Sequence, residues 1–193
     1  MNTINRMSRF AVLMLVLLGS AAANASAEDE VERARGYFSN LELINQDGET
    51  VRFFDDVLKD KVVVISFIFT NCQGACPLIT HKLTQVRDRI EGLIGDPVHF
   101  VSLSIDPARD TPAAMKEFAT THQADHAGWT FLTGDAGNLD NIIKRLGQYT
   151  TDIEAHSTML LAGNVNQAHW IKIQPHEQPP QIAEKIRLLA EDG

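Results

Sequence analysis

Lys61-Val62-Val63-Val64-Ile65-Ser66-Phe67-Ile68-Phe69-Thr70-Asn71-Cys72-Gln73-Gly74-Ala75-Cys76-Pro77 is the stretch whose reading decides the fold. Its first ten residues are apolar almost without interruption, a pattern that suits a strand covered on both faces in a largely parallel central sheet. Pro77 loses no hydrogen bond at a first helical position, so a helix is predicted to start near it. Ile79, Leu83, Val86, Ile90 and Leu93 then recur at helical spacing and form the expected buried stripe. Cys72 falls at the end of the strand and Cys76 at the beginning of the helix. A cysteine beside a helix N-terminus meets unpaired N–H groups and the positive end of the dipole, which favour thiolate. Gly74 lets the three-residue bridge turn tightly, so that both sulfurs can face one point.

Upstream, Leu41, Leu43, Val51 and Phe53 flank Gln46-Asp47-Gly48-Glu49, an Asp-Gly hairpin signal. Downstream, Val98 to Ile105 reads as a second buried strand. Thr111-Pro112 caps and opens a helix through about Thr121. Trp129 to Leu132 reads as a short strand and Leu139 to Tyr149 as a third helix. Ser157 to Ala162 and Ala168 to Ile173 read as a second hairpin around Gly163-Asn164-Val165-Asn166, and a last helix runs from Gln181 to Ala190. Alternation of this kind implies an α/β sandwich around a mixed sheet. It fits a thioredoxin-like core with an N-terminal β-hairpin and flanking helices.

Residues 1–27 read as a secretory signal. Arg6 and Arg9 precede the apolar run Phe10–Leu18, and Ala25-Ser26-Ala27 supplies small residues before Glu28. The run is short of the roughly 20 apolar residues of a spanning helix, so cleavage is favoured over an uncleaved anchor, and membrane contact is expected only if the segment is kept. No cysteine stands there to carry a lipid. Residues 28–193 are expected to form one domain in a periplasmic or other extracytoplasmic compartment. Without residues 1–27 the formal charge moves from −8 to about −10, which argues against nucleic acid as a partner.

Cys72 and Cys76 are the two cysteines of the chain. A disulfide between them closes a loop too short to staple a fold effectively, so the pair is expected to serve chemistry. Thioredoxin-like redox enzymes place two residues between their cysteines; here there are three. A structural zinc site asks for four Cys or His ligands. Two soft thiolates with one imidazole suit Cu(I) better.

Three motifs recur in order: Phe69-Thr70-Asn71-Cys72-x-x-x-Cys76-Pro77, Ser104-Ile105-Asp106-Pro107-Ala108-Arg109-Asp110-Thr111-Pro112, and His156 leading a strand. In these the chain resembles the SCO/SenC family of copper-binding proteins, from about Leu41 to Ala190. The resemblance implies a thioredoxin-like fold and one copper ion, Cu(I) or Cu(II), held by Cys72, Cys76 and His156. It also implies the role of a chaperone that delivers copper to the CuA site of cytochrome c oxidase, with a respiratory oxidase subunit as acceptor and a thiol reductant protein as a second partner. Two positions depart from the family pattern. The bridge is Gln73-Gly74-Ala75 where Pro-Asp-x is common, and Ala155 stands where an acid often precedes the histidine.

Two alternatives stay open: a thiol–disulfide oxidoreductase in which Cys72 attacks and Cys76 resolves, and a copper or redox sensor that transfers nothing. Whether the chain is an enzyme is thus undecided by sequence. Asp106 admits two roles, an extra oxygen ligand for Cu(II) or, with Asp110, the organiser of a turn and helix start. His122 and His126, spaced i and i+4, and His81, one turn beyond Cys76, are weaker metal candidates read first as solvated side chains.

Overall fold

The computed structural model describes residues 29–153 and 156–191; the signal-like residues 1–27, together with Glu154 and Ala155, lie outside the described residues. Helix α1 covers 29–38. There follow β1 (Glu42–Asn45), β2 (Thr50–Arg52), β3 (Val62–Ile68), α2 (Ala75–Arg89), β4 (Val98–Ser104), α3 (Pro112–Thr121), β5 (Trp129–Thr133), α4 (Ala136–Arg145), β6 (Leu160–Asn164), β7 (His169–Ile173) and α5 (Pro179–Glu191). Between β2 and β3, Phe53–Leu58 forms one wide helical turn, closed by Lys59 N–H to Phe54 O at 2.8 Å.

The seven strands lie in the order β2-β1-β5-β4-β3-β6-β7. Strand β3 runs parallel to β4, from Val62 opposite Val98 to Ile68 opposite Ser104, and antiparallel to β6. Its seven residues are all buried, as the unbroken apolar run predicts. Val62, Val64 and Ile68 point to one layer with α2, α3 and α5. Val63, Ile65 and Phe67 point to the other, with α1, the Phe53–Leu58 turn and α4. The period-2 alternation of a strand divides a single hydrophobic segment between two cores. Burying each such side chain contributes about 1.5–3 kcal/mol. Ser66 interrupts the run for a reason: its hydroxyl meets Ser102 Oγ at 2.9 Å, and the indole N–H of buried Trp129 donates to Ser102 Oγ at 3.0 Å.

The mixed sheet, the N-terminal hairpin and the flanking helices are those expected of the thioredoxin-like sandwich. Several boundaries differ. Helix α1 and the wide turn add to the expected order; α1 is charged over much of its length, and Val31, Ala34 and Phe38, at helical spacing, turn one face to the core, with Phe38 against Trp170 (ring centroids 4.9 Å apart). Helix α4 begins at Ala136 rather than Leu139, since the Asp135 carboxylate accepts the Asn138 N–H at 2.9 Å and caps it. It ends at Arg145, four residues short of Tyr149, ahead of Gly147 at φ 70°. Strand β6 starts at Leu160 and extends to Asn164, so Gly163 and Asn164 belong to the strand and not to the turn.

Trp170 lies flat over Gly163, its cross-strand partner. A groove of about 1010 Å³ runs between α1 and the β6–β7 hairpin past Tyr37, Phe38, Leu161 and Trp170. It includes neither cysteine nor His156.

Candidate metal centre

Strand β3 stops at Ile68, two residues before the apolar stretch ends. The reason is a set of polar contacts from the next crossover. Thr70 donates both its N–H (2.9 Å) and its hydroxyl (2.6 Å) to Asp110 Oδ1, so the chain turns away from the ladder there. Cys72 N–H then donates to Phe69 O at 3.2 Å and closes the turn. The chain enters α2 at Ala75, two residues before the expected start, so Cys76 sits in the first helical turn and Pro77 just behind it.

Gly74 precedes α2 without a side chain to cap it. The cap comes from Cys72, whose Sγ accepts the Cys76 N–H at 3.3 Å. A sulfur placed at the open end of a helix gains from the unpaired donors and the dipole together. Burial opposes ionisation of Cys72, but hydrogen bonds from the Cys76 thiol and from the N–H groups of Cys76, Gly74 and Ala75 outweigh it and hold this thiol below its ordinary value. Cys76 behaves oppositely. It is 1% exposed, and burial followed by hydrogen bonding to Cys72 pushes its thiol up to about 12.

His156 reaches this pair from the connection that leads into β6. Its Nε2 stands 3.6 Å from Cys76 Sγ, and its Nδ1 lies 3.1 Å from Ser157 O. A carbonyl accepts only, so that contact puts the proton on Nδ1 and leaves the Nε2 lone pair facing the sulfurs. The edge-to-face contact with Phe69, centroids 5.6 Å apart, fixes the ring plane. The two sulfurs and one histidine nitrogen lie within 4.8 Å of one another. Three donors around an ion at bond lengths of about 2.0–2.3 Å would stand roughly 3.5–4 Å apart, so small side-chain adjustments suffice to close the set. Two thiolates and an imidazole form a soft donor set with no fourth His, Cys, Asp or Glu in the group among the described residues, which fits copper(I).

Other candidates fall elsewhere. Asp106 is buried, but its Oδ2 is ion-paired with Arg109 Nε at 2.5 Å, an approach of charge to charge rather than a hydrogen bond along N–H, and it is not part of the donor group. Its backbone organises the turn: its carbonyl accepts the Asp110 N–H at 2.9 Å. Helix α3 ends at Thr121, so His122 and His126 do not share a helical face. His122 packs on Phe118, and His126 Nδ1 accepts the Gly128 N–H. His81 pairs with Gln85. Phe69 and Thr70 support the site without any sequence signal of that role, although both stand close before Cys72; their partners lie 87 and 40 residues away, beyond any local pattern.

The thiol asymmetry has a direct readout. In the reduced protein, Cys72 is expected to alkylate first with iodoacetamide. Its rate should rise with pH through a midpoint below 9, since thiolate is the reacting form. Cys76 should react only on unfolding. Mass mapping of the labelled peptides checks this, and equal labelling of both cysteines would contradict it.

The model of the SCO1/SenC family matches residues 29–191. The chain belongs to the SCO1/SenC family. It is 38% identical over 90 residues to the SCO1 protein homolog of Bacillus subtilis, a match covering 47% of this chain and 45% of that protein. Against Protein sco1 of Schizosaccharomyces pombe it is 32% identical over 107 residues, covering 55% and 39%. The chain thus spans about half the length or less of the curated relatives it matches. A SCO1/SenC family lipoprotein from Bacillus anthracis superposes with a TM-score of 0.67 at 28% identity, covering 79% of this chain and 94% of that one. The copper-bound ScoI of Arabidopsis thaliana shares the fold at a TM-score of 0.68 and 21% identity, covering 80% and 98%. Among the described residues no helix is long and apolar enough to cross a membrane.

Proposed function

We propose that the chain is an extracytoplasmic copper chaperone, a single domain behind a cleaved signal over residues 1–27, which carries one copper ion on Cys72, Cys76 and His156. The carrying observation is the convergence of two sulfurs and one imidazole nitrogen within 4.8 Å. Copper is cargo here. The chain's part is to offer Cys72, already inclined to thiolate, as the first ligand, to give up the Cys76 proton as the second sulfur binds, and to present the Nε2 lone pair of His156 as the third. Release reverses the order by ligand exchange, with acceptor thiolates replacing Cys72 at the half-exposed side.

Family membership supports this reading, as does copper in the Arabidopsis thaliana and Bradyrhizobium japonicum relatives. The acceptor we propose is a respiratory oxidase subunit, at the CuA site of cytochrome c oxidase. A structural neighbour, BsSco, is a member of the Sco family of cytochrome c oxidase assembly proteins, which supports that choice. The test is His156→Ala. Copper affinity is expected to fall at least about tenfold, the least that losing even a ligand's supporting partner costs, with the absorption of the Cu(II) form altered, while Cys72 alkylation is unchanged. Copper binding with wild-type affinity and spectrum would remove His156 from the site.

The unlike thiols favour one second reading, a thiol–disulfide oxidoreductase. The Cys72 thiolate would attack an acceptor disulfide, and Cys76 would then attack Cys72 Sγ. This releases two acceptor thiols and leaves a Cys72–Cys76 disulfide, which a thiol reductant protein must reduce. Turnover on a disulfide substrate that survives His156→Ala, together with weak copper affinity, would select it.

A further inference from the structure

Among the described residues, Asp110 is the buried acid beside the site to which copper binding assigns no role. Its side chain is 0% exposed. Three protons converge on its two oxygens: Thr70 N–H and Thr70 Oγ1–H on Oδ1, at 2.9 and 2.6 Å, and Ser104 Oγ–H on Oδ2 at 2.6 Å. The Ser104 hydroxyl already accepts the Asp106 N–H at 3.1 Å, so its own proton points to Asp110. A carboxyl group that receives three donors and gives none is the acceptor-only anion. No lysine or arginine pairs with it among the described residues, whereas neighbouring Asp106 is matched by Arg109. The anion therefore stands inside the fold, tied through Thr70 to the turn that carries Cys72. Its charge bears on the inner sulfur: after burial and hydrogen bonding to Cys72, the charges of Cys72 and Asp110 add to the upward push on the Cys76 thiol.

We infer that Asp110 is a positioning residue whose fixed buried charge also biases the Cys72–Cys76–His156 site towards Cu(II) relative to Cu(I). This rests on the copper reading above and on a count of charges. With two thiolates and a neutral imidazole, bound Cu(II) leaves the site neutral and bound Cu(I) leaves it at minus one. A nearby anion in a low-dielectric interior disfavours the second state more than the first. Hydrogen bonding alone would hold the turn equally for either ion. The carboxylate thus adds discrimination between oxidation states to its mechanical role.

The experiment compares wild type with Asp110→Asn, a near-isosteric change that removes the charge and keeps an acceptor for Thr70. Cu(I) affinity is measured by competition with bicinchoninate and Cu(II) affinity by competition with glycine, alongside the absorption spectrum of the Cu(II) form. The ratio of Cu(II) to Cu(I) affinity is expected to fall at least about tenfold, equivalent to a rise of about 59 mV in the one-electron potential. Equal losses for both ions, or no change in either, would overturn the electrostatic bias. Should Asp110→Asn not fold, Thr70→Val removes one neutralising donor and leaves the anion stronger. The ratio should then rise, and a constant or lower ratio overturns the inference. Failure of wild type to bind one copper would instead defeat the copper reading itself.

Discussion

Cys76→Ser is expected to lower Cu(I) affinity by more than about a hundredfold, beyond the ten- to hundredfold loss seen when only a ligand's supporting partner is removed. Three facts carry this expectation. The site is limited to three donor groups among the described residues, so no other Cys, His, Asp or Glu is at hand to substitute. Serine replaces a soft, polarizable donor by a hard oxygen that binds Cu(I) poorly. Cys76 is also the inner ligand, lying against His156 Nε2 at 3.6 Å, so its loss uncouples the imidazole from the loop. The fold should persist, because a serine of similar size leaves the packing of α2 in place and its hydroxyl can hydrogen-bond to the Phe69 backbone, as the sulfur does. A competition titration of the reduced variant, with circular dichroism as a folding control, measures the effect. Retention of wild-type affinity would show that copper rests on Cys72 and His156 alone.

Gly163→Ala should produce the largest loss of stability without touching the site. A Cβ at this position would stand 2.3 Å from Trp170 Cδ2 and 2.5 Å from its Cε3, inside the indole ring. The ring cannot simply swing away, because Phe38 of α1 packs on it and β7 holds its backbone opposite Gly163. Overpacking of this kind costs about 1–3 kcal/mol, and displacement of α1 with the tryptophan places the expected value at the upper end. The urea midpoint should fall with an unchanged slope, and copper stoichiometry should remain one. A midpoint equal to wild type would mean that Trp170 does not lie on Gly163 in solution.

The parts of the molecule that are legible in the sequence are those set by periodicity and by local chemistry. The apolar run Val62–Ile68 announces a central strand, and the Asp-Gly at 47–48 announces the first hairpin. The cysteines declare themselves by position, at a strand-to-helix junction. What sequence places less well is governed by contacts between distant residues. The end of β3 depends on Asp110, 40 residues beyond Thr70. The start of α2 depends on a sulfur serving as the cap, for which no capping-residue rule looks. The Gly163-Asn164 pair reads as a turn, yet lies within β6 because Trp170 requires the bare backbone of Gly163 across the ladder. Asp106 and Asp110 look interchangeable in the motif, and only the crossover geometry gives one an arginine and the other none.

The sulfur cap on α2 has a consequence for recognition. While Cys72 is free, its Sγ occupies the hydrogen bond of the Cys76 amide, and the start of the helix is sealed. Engaging that sulfur with an ion or a second sulfur redirects its lone pairs and weakens the seal. The first turn of α2 therefore presents a different face to a visitor according to what Cys72 holds.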